Sequence, residues 1–280
     1  MKLFQFMIYP TMMAVGVGAA WFLLSQGIHH VLVFLAVLLP YIGIVRLIEK
    51  AIPFEPEWNR DKGDLFLDIK YNIINFAIIS STLIIFDFLQ PLLSLNLWPK
   101  DLHVALQILL AGLIIDLGMY MIHRLSHVIP LLWRFHSIHH SSERLYLLNG
   151  EKRHLFHAIL EGVPGVSVLL LLGAPTVVLA FWFTILNLHL CFQHGNMNYR
   201  AGVLRFIFSV AELHRWHHRK DYAQSQVNYG AVFSFWDIFL GSYFKNPPKY
   251  DATDIGLSDV GYPRTFATQF TYPLKSAAKT

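Results

Sequence analysis

The amino-acid sequence predicts an all-α integral membrane protein: about four spanning helices, a re-entrant helical hairpin and a cytosolic, histidine-rich helical cap. Of its 280 residues, 55% are hydrophobic and only 14% are charged, whereas soluble domains carry about 25% charged residues. Several apolar stretches reach the roughly 20 residues that a helix needs to cross a bilayer. Clusters of histidines follow these stretches, which indicates a polar site at the membrane surface.

The four spanning helices are predicted at residues 7–24, 31–48, 73–93 and 104–122. The first stretch has neither a strongly basic leader nor a small-residue cleavage pattern, so we expect a retained helix rather than a signal peptide. Residues 46–70 form the most charged stretch of the chain and contain two prolines, and they are predicted as a solvated loop with an interfacial helix.

A further apolar region, residues 163–190, is interrupted by Gly173-Ala-Pro175. Each half is short for a span, so the region is predicted to dip into the membrane and return. Lysines and arginines concentrate in residues 46–70 and after residue 122, whereas Lys100 is the only basic residue of the opposite turns. The positive-inside rule therefore predicts that the histidines face the cytosol. If the source is bacterial, the membrane is expected to be the inner membrane.

Three histidine clusters have spacings of three and four residues, which bring side chains to one face of a helix. Histidine is the commonest metal ligand, and eight imidazoles exceed the four ligands that one zinc ion takes. The sequence therefore predicts a site for two metal ions. The clusters are His123 and His127; His136, His139 and His140; and His214, His217 and His218.

Three more histidines are predicted ligands because they lie near the same end of the predicted helices. They are His157, His189 and His194. The role of His154 is left open. The histidines of the opposite turns are interpreted as ordinary structural residues, and these are His29, His30 and His103.

Asp116 and Tyr120 lie on the same helical stripe as His123 and His127, at steps of four, three and four residues. An acidic residue inside an apolar helix is costly unless it has a partner. Asp116 is therefore predicted to orient a ligand imidazole, with a structural contact to a nearby arginine as the alternative.

Composition also excludes some classes of site. The formal charge of +4 is not arranged as a basic stripe with interleaved aromatics, so no nucleic-acid partner is expected. Cys191 is the only cysteine, which excludes an intrachain disulfide and a cysteine-based zinc site. A histidine-rich metal transporter is the alternative of another class, but Asp87 and Asp116 are the only charges deep in a predicted span.

From about Asp116 to Ser242 the chain resembles the fatty acid hydroxylase/sterol desaturase superfamily. The resemblance rests on a series of boxes and on a polar-aromatic ending. In order they are His123-Arg-Leu-Ser-His127; His136-Ser-Ile-His139-His140 followed by Ser-Ser-Glu143; His157 with Glu161, where Ala158 replaces the usual proline; His189 and His194; His214-Arg-Trp-His217-His218; and Asn228-Tyr229-Gly230, Trp236-Asp237 and Gly241-Ser242.

The resemblance implies a histidine-ligated di-iron centre that uses O2 and two external electrons to hydroxylate an unactivated C–H bond of a fatty acyl, sterol or related lipid. A desaturase with the same centre is the nearest alternative. The electrons are expected from a separate protein (cytochrome b5-like, a ferredoxin or a flavin reductase), and zinc is expected to replace iron in purified material. Glu143 and Glu161 join Asp116 and Tyr120 as residues expected to support the ligands.

The sequence also predicts a division of the chain into three parts. Residues 1–122 form the transmembrane anchor, residues 123–245 the catalytic region with the hairpin, and residues 246–280 a cytosolic tail. The residues of the ending are interpreted as fold support, with shaping of the cap as the alternative. They are Asn228, Tyr229, Trp236 and Asp237.

Overall fold

The fold was analysed in a computed structural model, which describes residues 2–244, 253–259 and 261–275. Within these residues the secondary structure is helical, and extended pairing is limited to three isolated bridges, such as that between Pro53 and Met197. The predicted all-α class is confirmed.

Six helices are long and apolar enough to cross a membrane, so the protein is a multi-pass integral membrane protein. The sequence predicted four such helices and a hairpin. The six are α1 (Lys2–Ser25), α2 (His30–Ala51), α3 (Leu65–Leu93), α4 (Val104–Ser126), α6 (Leu155–Leu172) and α7 (Thr176–Gln193).

The predicted hairpin consists of α6 and α7, which are joined at Gly173 in a left-handed conformation (φ 83°). Its tip lies beside the α3–α4 turn, where the backbone N–H groups of Leu95 and Leu97 donate to the carbonyls of Leu171 and Leu172 at 2.8 and 2.9 Å. Each helix is longer than the apolar run suggests, because polar residues near the histidines continue both helices.

The centre of the bundle is α7, which is buried along almost its whole length against α1, α2, α3 and α4. Two glycines allow the helices to approach closely. A Cβ on Gly112 would lie 2.3 Å from the ring of Trp182, and a Cβ on Gly165 would lie 2.5 Å from the Cα of Ile115. Helices α4, α6 and α7 therefore pack closely together beneath the histidines.

The histidine-rich cap is built from short helices at one end of the bundle. The α-helices are α5 (Pro130–His140), α8 (Ala211–His217), α9 (Phe235–Phe239) and α10 (Phe266–Thr271), and the 3-10 turns are Pro56–Asn59, Leu147–Glu151, Gly202–Phe206 and Tyr272–Leu274.

The C-terminal segment differs from the irregular tail that the sequence predicted. Helix α10 lies against the bundle, with the ring of Phe266 5.2 Å from that of Tyr71. The hydroxyl groups of Tyr262 and Ser137 are 2.9 Å apart. Aromatic residues thus attach this segment to α3 and α5, while residues 246–252, 260 and 276–280 of the predicted tail lie outside the described residues.

The charged stretch 46–70 is also more ordered than predicted, because α2 continues to Ala51 and α3 already begins at Leu65. Only residues 52–64 connect the two helices. Two prolines in this connection, Pro53 and Pro56, explain why the helix breaks there and not earlier.

Two acidic residues of this stretch are fully buried. The carboxylate of Glu49 accepts hydrogen bonds from the backbone N–H groups of Leu147 and Asn196, each at 2.8 Å. The carboxylate of Asp68 accepts from the hydroxyl of Tyr146 at 2.8 Å. These carboxylates join the spanning helices to the cap, which is why they are not solvated as the sequence suggested.

Candidate metal centre

Five histidines from three helices converge at the base of the cap, and we call them the five-histidine group. Helix α4 and its C-cap supply two, the C-terminal half of α5 supplies two, and the end of α8 supplies one. Each offers a ring nitrogen, these nitrogens all lie within 4.8 Å of one another, and all five residues are buried. The group is His123, His127, His136, His140 and His217.

The spacing of these nitrogens fits a metal ion. The Nε2 atom of His217 lies 2.8 Å from that of His123 and 3.1 Å from that of His140, which lies 3.1 Å from that of His136. An ion bound at about 2.1 Å to nitrogen in octahedral geometry separates adjacent ligand nitrogens by roughly 3 Å. The donors therefore match a single ion with five imidazole ligands.

Four other histidines form a second buried set, the four-histidine group, again with ring nitrogens within 4.8 Å of one another. Its members are His139, His194, His214 and His218. The Nε2 atom of His214 lies 2.9 Å from that of His194 and 3.0 Å from that of His218. Each H-x-x-H-H box thus contributes to both groups.

The two groups adjoin. The rings of His140 and His218, one from each group, are stacked with centroids 4.5 Å apart. The ring centroids of His136 and His139 are 5.4 Å apart. Two ions held by these groups would be neighbours in one site.

His157 and Glu161 extend the five-histidine group through His136. The Nδ1 atom of His157 lies 3.6 Å from the Glu161 carboxylate, and its Nε2 atom lies 2.9 Å from the hydroxyl of Ser126. Glu161 is therefore a carboxylate close to a candidate ligand, and its support of that ligand stays a prediction.

Burial keeps the imidazoles in the neutral form that binds metal. The pKa of His194 is lowered to about 3, chiefly by burial. Burial first and neighbouring imidazoles second hold the pKa of six others well below its ordinary value. They are His136, His139, His140, His214, His217 and His218.

Comparisons with known proteins agree with this geometry. Residues 108–242 match the fatty acid hydroxylase family. An ornithine lipid hydroxylase of Rhizobium tropici is 34% identical over 262 residues, which cover 90% of this chain and 78% of the relative. The chain belongs to the fatty acid hydroxylase/sterol desaturase superfamily.

Other members of the superfamily are more distant. An alkylglycerol monooxygenase of Danio rerio is 27% identical over 58% of this chain and 36% of its own length. Methylsterol monooxygenase 1 of Rattus norvegicus is 24% identical over 69% of this chain and 64% of its own length. No solved structure matches significantly. Like these relatives, this superfamily member is an oxidoreductase.

In this superfamily member, residues 226–229 form a loop, here called the orienting loop, that contacts three rings of the five-histidine group. The Nδ1 atom of His123 donates to the carbonyl of Tyr229 at 2.7 Å, and that of His217 donates to the carbonyl of Val227 at 2.8 Å. The side-chain amide of Gln226 lies 3.2 Å from Nδ1 of His127. Sequence analysis missed these contacts because backbone carbonyls have no sequence signature. The only signal was the Asn-Tyr-Gly pattern.

Asp237 holds the orienting loop in place. Its carboxylate accepts from the backbone N–H groups of Tyr229 at 2.8 Å and Gly230 at 3.0 Å, and from the hydroxyl of Ser242 at 2.7 Å. Burial raises the pKa of Asp237 to about 6. Asp237, which was predicted to support the fold, thus fixes the loop that in turn contacts the histidines of the five-histidine group.

Two predicted support residues act on this region rather than on an imidazole. The buried carboxylate of Asp116 accepts from the backbone N–H groups of Val232 and Phe233 at 2.7 and 3.0 Å. The hydroxyl of Tyr120 lies 2.7 Å from that of Ser242. The structure thus places the carboxylate of Asp116 against backbone donors of the cap, whereas the sequence analysis expected it beside a ligand imidazole.

Glu143 lies away from the centre. Its side chain is about half exposed and pairs with Arg264 at 3.0 Å. Its proximity to the H-x-x-H-H box in sequence does not bring it to the histidine groups, because α5 ends at His140 and the side chain of Glu143 points outward between buried neighbours, Ser142 and Arg144. Glu143 is therefore removed from the predicted support residues.

His189 and His154 are not brought to either group. Both ring nitrogens of His189 have other partners, the hydroxyl of Tyr9 at 2.9 Å and the carbonyl of Ser209 at 3.0 Å. His154 caps α6 by accepting from the N–H of Phe156, and its Nε2 atom lies 3.1 Å from the carbonyl of Phe270. We therefore leave both residues out of the ligand set.

Proposed function

We propose that this protein is a membrane-bound di-iron oxygenase that hydroxylates an unactivated C–H bond of a lipid. The observation that carries the proposal is the pair of adjoining groups of buried, neutral imidazoles at one end of an apolar helical bundle. A cavity of about 30 Å³ lies between them, and residues of both groups line it, among them His123, His136 and His194.

Iron held by these histidines would activate O2, which is the chemistry that an unactivated C–H bond requires. One oxygen atom enters the C–H bond and the other leaves as water, so each turnover consumes two electrons and two protons. We propose that a separate donor protein, such as a cytochrome b5-like protein, a ferredoxin or a flavin reductase, supplies the electrons. The protein itself orients the ligands and excludes bulk water from the site.

The substrate proposed for the first test is an ornithine lipid, since the Rhizobium relative bears that substrate in its name and aligns with 90% of this chain. The positive-inside distribution of lysine and arginine supports a cytosolic position for the histidines. Zinc bound in purified material would be a substitution, because imidazole sites discriminate weakly between these metals.

The test is mass spectrometry of the lipids of a host that contains ornithine lipid, with intact protein compared with a His217→Ala/His218→Ala variant. We expect a lipid that gains one oxygen atom only with the intact protein. A His30→Ala variant, which changes a histidine outside both groups, serves as the control and should give the same product. A lipid that loses two hydrogens would replace the hydroxylase by the desaturase, and product formed by the double variant would refute the di-iron proposal.

A further inference from the structure

A cleft opens on the flank of the bundle between α3 and α6 and extends inward to α4 and α7. Its volume is about 140 Å³. The outer walls are mainly apolar, with Ile78 and Ile79 of α3 facing Val163 and Val166 of α6. Val163 is half exposed on a surface that, in a membrane-spanning helix, faces lipid. A lipid chain can therefore lie in this cleft without leaving apolar surroundings.

The inner end of the cleft is charged. Glu151, Arg153 and Glu161 line it, and we call these three residues the throat. Arg153 and Glu161 also line the small cavity between the two histidine groups, together with Met119. The throat is thus the junction between the lipid-side cleft and the candidate metal centre.

The throat carries one formal negative charge, because the guanidinium of Arg153 binds both Glu151, at 2.6 Å, and Glu161, at 3.1 Å. All three side chains are almost fully buried. Asn75 of α3 fixes their position by donating to the backbone carbonyl of Glu151 at 2.8 Å. Glu161 also faces the candidate metal centre beside His136 and His157, so Glu151 is the carboxylate of the throat left for a cationic partner.

Two polar atoms of the throat lack a hydrogen-bond partner within the part of the chain that the structure describes, namely Oε1 of Glu151 and Nε of Arg153. Glu151 is only 5% exposed. Leaving a buried polar group unpaired costs about 1–3 kcal/mol, and more when the group is charged. These atoms are therefore an acceptor and a donor available for a ligand that enters from the cleft.

We propose that the throat binds the polar head of the lipid, with Glu151 accepting from an ammonium group of that head and Arg153 donating to a carboxylate. The inference rests on the proposed function, which it extends by naming the substrate class and its orientation. The lipid has an amino-acid head, its chain lies in the α3–α6 cleft, and its head end faces the histidine groups. A sterol or a glycerol ether has no ammonium group for Glu151.

The experiment is a binding assay on the full-length protein in detergent micelles with two probes that differ in one group. N-hexadecanoyl-ornithine carries the terminal ammonium, and N-hexadecanoyl-norvaline lacks it. We expect the ornithine probe to bind about tenfold more tightly, as is typical of a hydrogen bond to a charged group. Glu151→Gln should reduce this ratio to near one. Glu57→Gln, the same change at an exposed residue paired with Arg60, should leave it unchanged.

A second variant tests the position of the chain independently of the charged residues. Val163→Trp fills the mouth of the cleft, so it should weaken binding of both probes to a similar extent and leave the metal content unchanged. Equal binding of the two probes to the intact protein would overturn the inference. So would a preference for the ornithine probe that survives Glu151→Gln.

Binding and turnover separate the two proposals. A binding ratio near ten without any oxidised lipid would contradict the proposed function and support the head-first binding site. An oxidised lipid together with equal binding of the probes would support the function and overturn the site.

Discussion

The two histidine groups consist of the same residue type in adjoining positions, yet their surroundings differ. In the five-histidine group, the Nδ1 atoms of His123 and His217 donate to backbone carbonyls of the orienting loop. In the four-histidine group, no described residue hydrogen-bonds any of the four Nδ1 atoms. The comparison teaches that identical motifs can build one group with two rings oriented by a loop and one group in which the described residues make no such bonds.

This difference has an energetic consequence. A hydrogen bond to the second nitrogen fixes the tautomer and the orientation of a ligand imidazole and makes it more basic. We therefore expect the five-histidine group to bind its ion more tightly, and the four-histidine group to exchange its ion more readily.

Removing the carboxylate that holds the orienting loop should abolish the difference in metal affinity between the two histidine groups. Asp237→Asn places an amide where the backbone N–H groups of Tyr229 and Gly230 now meet a carboxylate. We expect the metal affinity of the five-histidine group to fall about 10- to 100-fold, measured by chelator competition. Asp221→Asn, the same change at an exposed residue of the cap, is the control. An unchanged affinity in Asp237→Asn would mean that the loop does not support the ligands.

Chelation of the intact protein should measure the difference in metal affinity between the two histidine groups. We expect two steps, with about half of the metal released at roughly tenfold lower chelator concentration than the rest. The first step should come from the four-histidine group. It should therefore persist in a His123→Ala/His217→Ala variant, which retains all four members of that group. Release in a single step would show that the orienting loop makes no difference to affinity.

A more distant charge pair tests whether the difference in metal affinity between the two groups comes from local hydrogen bonds or from the stability of the whole cap. The side chain of Arg144 is buried and binds Asp64 at 2.7 Å. Burial alone would raise the pKa of Asp64, but the hydrogen bonds and charge of Arg144 outweigh it and hold the pKa below its ordinary value.

Asp64→Asn should lower the stability of the protein by about 2 kcal/mol at pH 7, because it leaves the buried guanidinium of Arg144 with the more distant carboxylate of Asp61, at 3.4 Å. The folded pKa of Asp64 is depressed, so the pair contributes above the unfolded pKa of about 3.9 and its contribution is lost as the pH falls through the folded pKa. Thermal unfolding in detergent at pH 7 and near pH 3 measures the change. Metal release from this variant should still occur in two steps. Release in a single step would contradict the explanation that the hydrogen bonds of the orienting loop set the difference in affinity.

Much of the fold could be predicted because apolar length alone identifies spanning helices. The regions of α1, α2 and α4 follow from long apolar runs, and Gly173 marks the α6–α7 turn. The apolar run could not show that α3 begins at Leu65, because the first turns of this helix contain Asp68, whose charge is matched only by cap residues far away in sequence.

The site was predictable to the extent that ligands recur at helical spacing. Ten of the eleven predicted histidines are brought into contact. The exception, His189, bonds Tyr9, a residue 180 positions away, and no local pattern indicates such a partner. Spacing also could not assign His139 and His140, which are neighbours in sequence, to different groups. That division depends on how α5 and α8 pack.

The most direct test of the account is the number of metal ions per chain in protein loaded with iron. We predict two in the intact protein. We predict one in His123→Ala/His217→Ala, which removes two members of the five-histidine group, and one in His214→Ala/His218→Ala, which removes two members of the four-histidine group. One ion per chain in the intact protein, or the full two in either variant, would contradict a centre built from two separate groups of histidines.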